Sequence, residues 1–119
     1  MTALGVSLFV AAAACGAFLR LLATINLPQA SGTFLVNLLG SIAIGFLFVA
    51  MEKTAPQWRA VVIVAFLGSL TTYSSFVLDC LHFAQKSQWK LLSLYLFSTH
   101  ILCFLGCALG WQVAKRWAS

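Results

Sequence analysis

In a chain of 119 residues, 62% are apolar and 8% charged, with a mean hydropathy of +1.01. Soluble domains carry roughly 25% charged residues, so lipid has to take up the apolar surface here. The formal charge of +5 is no nucleic-acid footprint, because the seven basic residues are scattered and mostly mark helix ends, at headgroup level.

The length fits one domain, 1–119. A bilayer core takes about 20 helical apolar residues, and four segments supply them: 4–24, 33–51, 58–83 and 91–113. The first has no basic leader, so it reads as a retained helix and not a signal peptide. Near its end stands Arg20, for which two roles fit. It is either a cationic lure for an anion at a vestibule, or an anchor reaching to headgroups.

In the second segment Thr33, Asn37 and Ser41 lie four apart and form one polar stripe. Such a stripe either bonds to a neighbouring helix or offers donors to a dehydrated ion. Ser41 and Gly45 are spaced for close helix contact, as are Gly106 and Gly110 in the fourth segment.

The third segment carries the most specific pattern, Gly68-Ser69-Leu70-Thr71-Thr72-Tyr73-Ser74-Ser75-Phe76. Glycine and six hydroxyl residues make poor helix in mid-membrane, so a break is expected there. Non-helical backbone at that depth needs burial in protein or a wet cavity. Freed carbonyls can hold a small hard cation such as Na⁺, and two copies offering two carbonyls each would give four ligands. Tyr73 and Phe76 flank Ser74 and Ser75. They read as packing aromatics, or as rings turning electropositive edges to an anion.

The fourth segment repeats the spacing with Tyr95, Thr99 and Cys103, beside Ser98 and His100. Cys103 and Cys107 share a face but read as small packing residues. His100 reads as a packing or interfacial hydrogen-bonding residue. Trp58, Trp89, Trp111 and Trp117 mark segment ends.

Short loops make consecutive helices antiparallel neighbours. One membrane face then holds Lys53, Arg59, Lys115 and Arg116, and the other Arg20, Lys86 and Lys90. Lys/Arg asymmetry sets orientation, and four against three is almost none. Dual topology and an antiparallel homodimer are therefore expected. Asp79 is the only acid within a segment. A cation path favours carboxylate rings, so an anion or a neutral substrate fits better. A small multidrug-type exporter would need a carboxylate in the first helix, and 4–24 has none. A purely structural subunit would leave the Gly/Thr/Ser run unexplained. No metal cluster, paired carboxylates or nucleophile–base pair points to an enzyme.

Taken together, Gly16-Ala17 with Arg20, Gly32-Thr33 through Asn37 to Gly40-Ser41 and Gly45, and the run 68–76 resemble the Fluc (CrcB) fluoride channel family. The resemblance implies an all-α membrane protein of four helices with the third broken, paired as an antiparallel, dual-topology homodimer. It implies two pores that carry cytoplasmic fluoride passively out through the cell (inner or plasma) membrane, which lowers fluoride toxicity. It implies a structural Na⁺ at the dimer centre on the carbonyls of Gly68 and Thr71. Asn37, Tyr73, Ser74, Ser75, Phe76, Tyr95 and Thr99 correspond to its pore residues, and Arg20 and Asp79 to its entrance residues. Three positions depart from the family pattern. Tyr73 stands where Phe is usual, Asp79 where Glu is usual, and Cys103 where some members have a hydroxyl. Some members also work as paired, divergent subunits; the four-to-three charge count favours a homodimer.

Overall fold

A computed structural model describes all 119 residues, and every regular element is helical. Helix α1 spans Ala3–Asn26 and is capped by Thr2, whose hydroxyl accepts the Gly5 N–H at 3.0 Å. Leu27 is extended ahead of Pro28, as the residue before a proline tends to be, and this ends α1. Helix α2 spans Gln29–Ala50 and so starts four residues ahead of the expected segment. The third span opens with Pro56 in the first helical position, where its missing N–H costs nothing.

That third span is not one helix. Residues 56–70 form α3: an α-helical turn at Pro56–Arg59, a π-helical stretch at Ala60–Leu67 and a last turn at Gly68–Leu70. Thr71 and Thr72 are extended, with ψ of 155° and 120°, and α4 resumes at Tyr73–Gln85. β-Branched side chains favour this extended geometry. The break falls at the middle of the stretch Pro56–Gln85, where a spanning helix crosses mid-bilayer. Ser87 turns the chain with φ 54°, and α5 runs Trp89–Ala118, five residues beyond the expected end. All four spans are long and apolar enough to cross a membrane, and the chain is a multi-pass membrane protein.

The packing is inverted relative to a soluble domain. Only 16 of 119 residues are buried, and they include Thr33, Thr72, Asp79 and Thr99, while Leu, Val and Phe side chains cover the outside. Helices α2 and α5 form the most extensive pair. Their backbones meet at Gly45, against the Cys107 carbonyl, and at Gly110, against the Ile42 carbonyl. A Cβ at either glycine would overlap backbone, so the small-residue spacing seen in the sequence is used as helix contact. Helix α1 packs on α3.

Candidate functional site

The broken third span is held open by α2. Asn37 accepts the Thr72 N–H on Oδ1 at 2.7 Å and donates its Nδ2 to the Thr72 carbonyl at 2.9 Å. One amide side chain thus satisfies both backbone groups of an extended residue. Gly40, one turn along α2, leaves room for the Thr71 methyl group. Thr72 then caps α4: its hydroxyl accepts the Ser75 N–H at 3.2 Å and also lies 3.3 Å from the Ser74 hydroxyl.

Two carbonyls lose their helical partners through these bonds. In an unbroken helix Thr72 N–H would bond Gly68 O, and Ser75 N–H would bond Thr71 O. The first donor goes to Asn37 and the second to the Thr72 hydroxyl. Gly68 is exposed, and both Gly68 and Thr71 border an open cavity. Oxygen donors freed at mid-depth suit a small hard cation, so the residues present fit the sodium site that the sequence implies. The Thr71 carbonyl also accepts a long bond, 3.5 Å, from Arg20 Nη1.

The cavity beside the break measures about 450 Å³. Asn37, Thr71, Thr72, Tyr73, Phe76 and Thr99 are among its walls, and no carboxylate is. Phe76, 2% exposed, sits in an aromatic cluster. Its ring centroid lies 5.7 Å from Tyr73, 5.1 Å from Tyr95 and 5.4 Å from His100, the last edge-on. Tyr73 itself is 70% exposed. The Thr99 hydroxyl is buried and has no hydrogen-bond partner.

A second cavity of about 360 Å³ lies toward the Asn26 end of α1 and is lined by Ala17, Arg20, Thr24, Gln29, Thr33 and Ser75. Thr33, with no exposed surface, again leaves its hydroxyl unpaired. Nearby in the same half of the bundle, Tyr95 donates to Asp79 Oδ2 at 2.9 Å, and Asp79 is 3% exposed.

These bonds sort the two polar stripes. Ser41 donates to the Asn37 carbonyl of its own helix, and Tyr95 is engaged by Asp79. Asn37 serves mainly as a clamp, with its second amide hydrogen left for the cavity. Thr99 remains as the buried hydroxyl with no side chain to bond, while Thr33 lies close to the Tyr95 hydroxyl. Cys103 borders the large cavity, while Cys107 meets Gly45 through its backbone. Ser74 faces outward, and Ser75 lines the smaller cavity. Sequence reasoning left Thr72 and His100 out of the site. Thr72 is the residue the Asn37 clamp grips. His100, next to Thr99, is a cavity wall whose Nδ1 lies 2.7 Å from the Leu96 carbonyl.

The family described as CrcB-like protein, Camphor Resistance (CrcB), matches residues 7–111. The chain belongs to the CrcB family. Among curated CrcB relatives, a protein of Helicobacter pylori (strain P12) is 41% identical over 87 residues, covering 71% of this chain and 67% of that one. One of Xylella fastidiosa (strain 9a5c) is 38% identical over 86 residues, covering 66% and 60%. Both bear the name fluoride-specific ion channel FluC.

Proposed function

We propose that this CrcB chain is a fluoride channel that releases cytoplasmic fluoride passively through the cell membrane, and is not an enzyme. The observation that carries the reading is Thr99. Its hydroxyl is buried and unpaired on the wall of a mid-membrane cavity that has no carboxylate. A buried polar group without a partner is costly, and an O–H held in the wall of an acid-free cavity is relieved by an anion that accepts hydrogen bonds. Thr33 repeats the arrangement beside the guanidinium of Arg20. The names of the curated relatives support fluoride as that anion.

In this account Arg20 and Thr33 draw the ion in, Thr99 and the free Asn37 hydrogen replace part of its water, and Phe76 offers ring edges that hold it weakly. Ser75 lies on the way in, Tyr73 and Ser74 at the outer rim, and Asp79 keeps Tyr95 turned aside. Weak multi-point contact is what conduction requires. A negative interior potential then drives the anion outward.

The chain pairs with an inverted copy of itself. Its polar lining supports this, because it runs from one face only to mid-depth. Arg20, Thr33 and Ser75 lie in that half and Asn37 and Thr99 at the centre, while Ile44 and Ile63 line the cavity beyond. A two-fold axis in the membrane plane supplies the missing half. The same axis brings the freed Gly68 and Thr71 carbonyls of two copies together as a sodium site. Bound there, Na⁺ would supply charge that ties the two breaks to each other.

The multidrug-exporter reading lacks support, since α1 has no acidic residue to exchange protons. Fluoride efflux from liposomes holding the purified protein, with chloride as control, tests the function. Fluoride release without chloride release is expected. Silence from intact dimer, or equal release of both anions, would refute it.

A further inference from the structure

From the wall of the large cavity we infer a site for a soft monovalent cation, Cu⁺ or Ag⁺, held by the Cys103 thiolate and the His100 imidazole. The two residues lie three apart on α5, so their Cβ atoms stand about 5–6 Å apart on one face of the helix. Both border the cavity beside the break. Four-residue spacing groups Cys103 with Cys107 instead. The structure separates those two, because Cys107 meets Gly45 through its backbone and is not a wall of the cavity.

The imidazole is already arranged as a ligand. Its Nδ1 lies 2.7 Å from the Leu96 carbonyl, and a carbonyl only accepts, so Nδ1 carries the hydrogen. In the neutral ring the lone pair is then on Nε2, which has no hydrogen-bond partner in the chain. A backbone carbonyl that fixes one ring nitrogen while the other takes the metal is the usual setting of a histidine ligand. The Phe76 ring, 5.4 Å away and edge-on, packs against the imidazole. Cys103 is a free, half-buried thiol.

Ligand number and charge select the ion. No third Cys or His and no carboxylate borders the cavity, and the chain has no cluster of three metal-binding side chains. That excludes the four-ligand tetrahedron of structural zinc. Soft sulfur suits Cu⁺, and Ag⁺ shares its charge and softness; both accept two ligands in a line. Binding forms a sulfur–metal and a nitrogen–metal bond, breaks the S–H bond and sends its proton to water. No electron moves. A thiolate with a monovalent cation is neutral, whereas a divalent ion would leave a net charge at mid-membrane, where charge is costly. His100 follows Thr99 in the chain, so a bound ion narrows the fluoride path past Thr99. That block rests on the channel reading; the binding does not.

Silver nitrate is the probe, in detergent solution free of chloride, added thiols and fluoride. Equilibrium dialysis of the full chain carrying Cys15→Ser, Cys80→Ser and Cys107→Ser should show one silver ion per chain. Adding Cys103→Ser should abolish it. Adding His100→Gln should weaken it by about 10-fold or more, the loss seen even when a residue that only orients a ligand is changed. If the triple variant misfolds, the parent and its Cys103→Ser variant should still differ by one silver ion per chain, and His100→Gln should weaken that same ion. No silver bound through Cys103, or equal affinity without His100, would overturn the inference. In liposomes, silver should stop fluoride release by the chain that keeps Cys103 and leave Cys103→Ser at its own silver-free rate. Release that continues with silver bound would place the pair off the path and overturn the block. Silver binding as expected, with no chain releasing fluoride even before silver, would sink the channel reading and leave the site standing.

Discussion

Asn37 and Thr72 are joined by two hydrogen bonds, 2.7 and 2.9 Å, that use both ends of one amide and both backbone groups of one residue. The broken span therefore depends on a side chain from another helix. Asn37→Ala leaves a buried N–H and C=O unpaired, a loss of about 3 kcal/mol. A lower unfolding temperature in detergent, with fluoride release abolished, is the expected result. Asn37→Asp should be nearly as damaging, because a carboxylate cannot donate to the Thr72 carbonyl.

Thr99→Val separates stability from function. The two side chains are close in shape, and the hydroxyl it removes has no partner. Stability should hold or rise by about 1 kcal/mol, while fluoride efflux falls. A lost hydrogen bond to a charged group is worth about 1.5–3 kcal/mol, or roughly 10- to 100-fold in rate. Thermal unfolding and efflux measured on one preparation check both halves.

The glycines of α5 should differ in their tolerance. A Cβ at Gly110 would overlap the Ile42 carbonyl, whereas at Gly106 its nearest atom is the Ile42 Cγ1, at 2.9 Å. Backbone cannot step aside and a side-chain branch can. Gly110→Ala should cost about 3 kcal/mol and Gly106→Ala about 1 kcal/mol, ranked by unfolding in detergent.

Tyr95→Phe strands the buried Asp79 carboxyl, whose bond to the tyrosine hydroxyl is 2.9 Å. The expected loss is about 2 kcal/mol. Asp79→Asn keeps an acceptor for Tyr95 and should lose less. The reverse order of unfolding temperatures would show that this pair does not support the α4–α5 contact.

Much of this architecture is legible in the residues. Four apolar segments gave four spans, and the Gly68–Phe76 run marked the break, because glycine and threonine are poor helix formers where lipid forbids idle backbone groups. Helix ends were less legible: Gln29 and Ala30 extend α2, and Lys115 and Arg116 lie within α5. Polar side chains do not stop a helix that has reached the interface. The donor stripes were legible as stripes, but not in what they do. Four-residue spacing placed Thr33, Asn37 and Ser41 together; it could not tell that Ser41 bonds its own helix and Asn37 grips Thr72. Those partners lie on the local turn or on a distant one. The π-helical stretch at Ala60–Leu67 had no sequence signal, since an apolar run suits either helix type.

The central claim is that an anion path passes the cavity between the Asn37–Thr72 clamp and Thr99. Fluoride-electrode efflux from liposomes tests it most directly, comparing the parent chain with Phe76→Ile and Thr99→Val, each shown to be an intact dimer by gel filtration. The account predicts fluoride-selective release by the parent and strongly reduced release by both variants. Undiminished release from both intact variants would place the path elsewhere and contradict it.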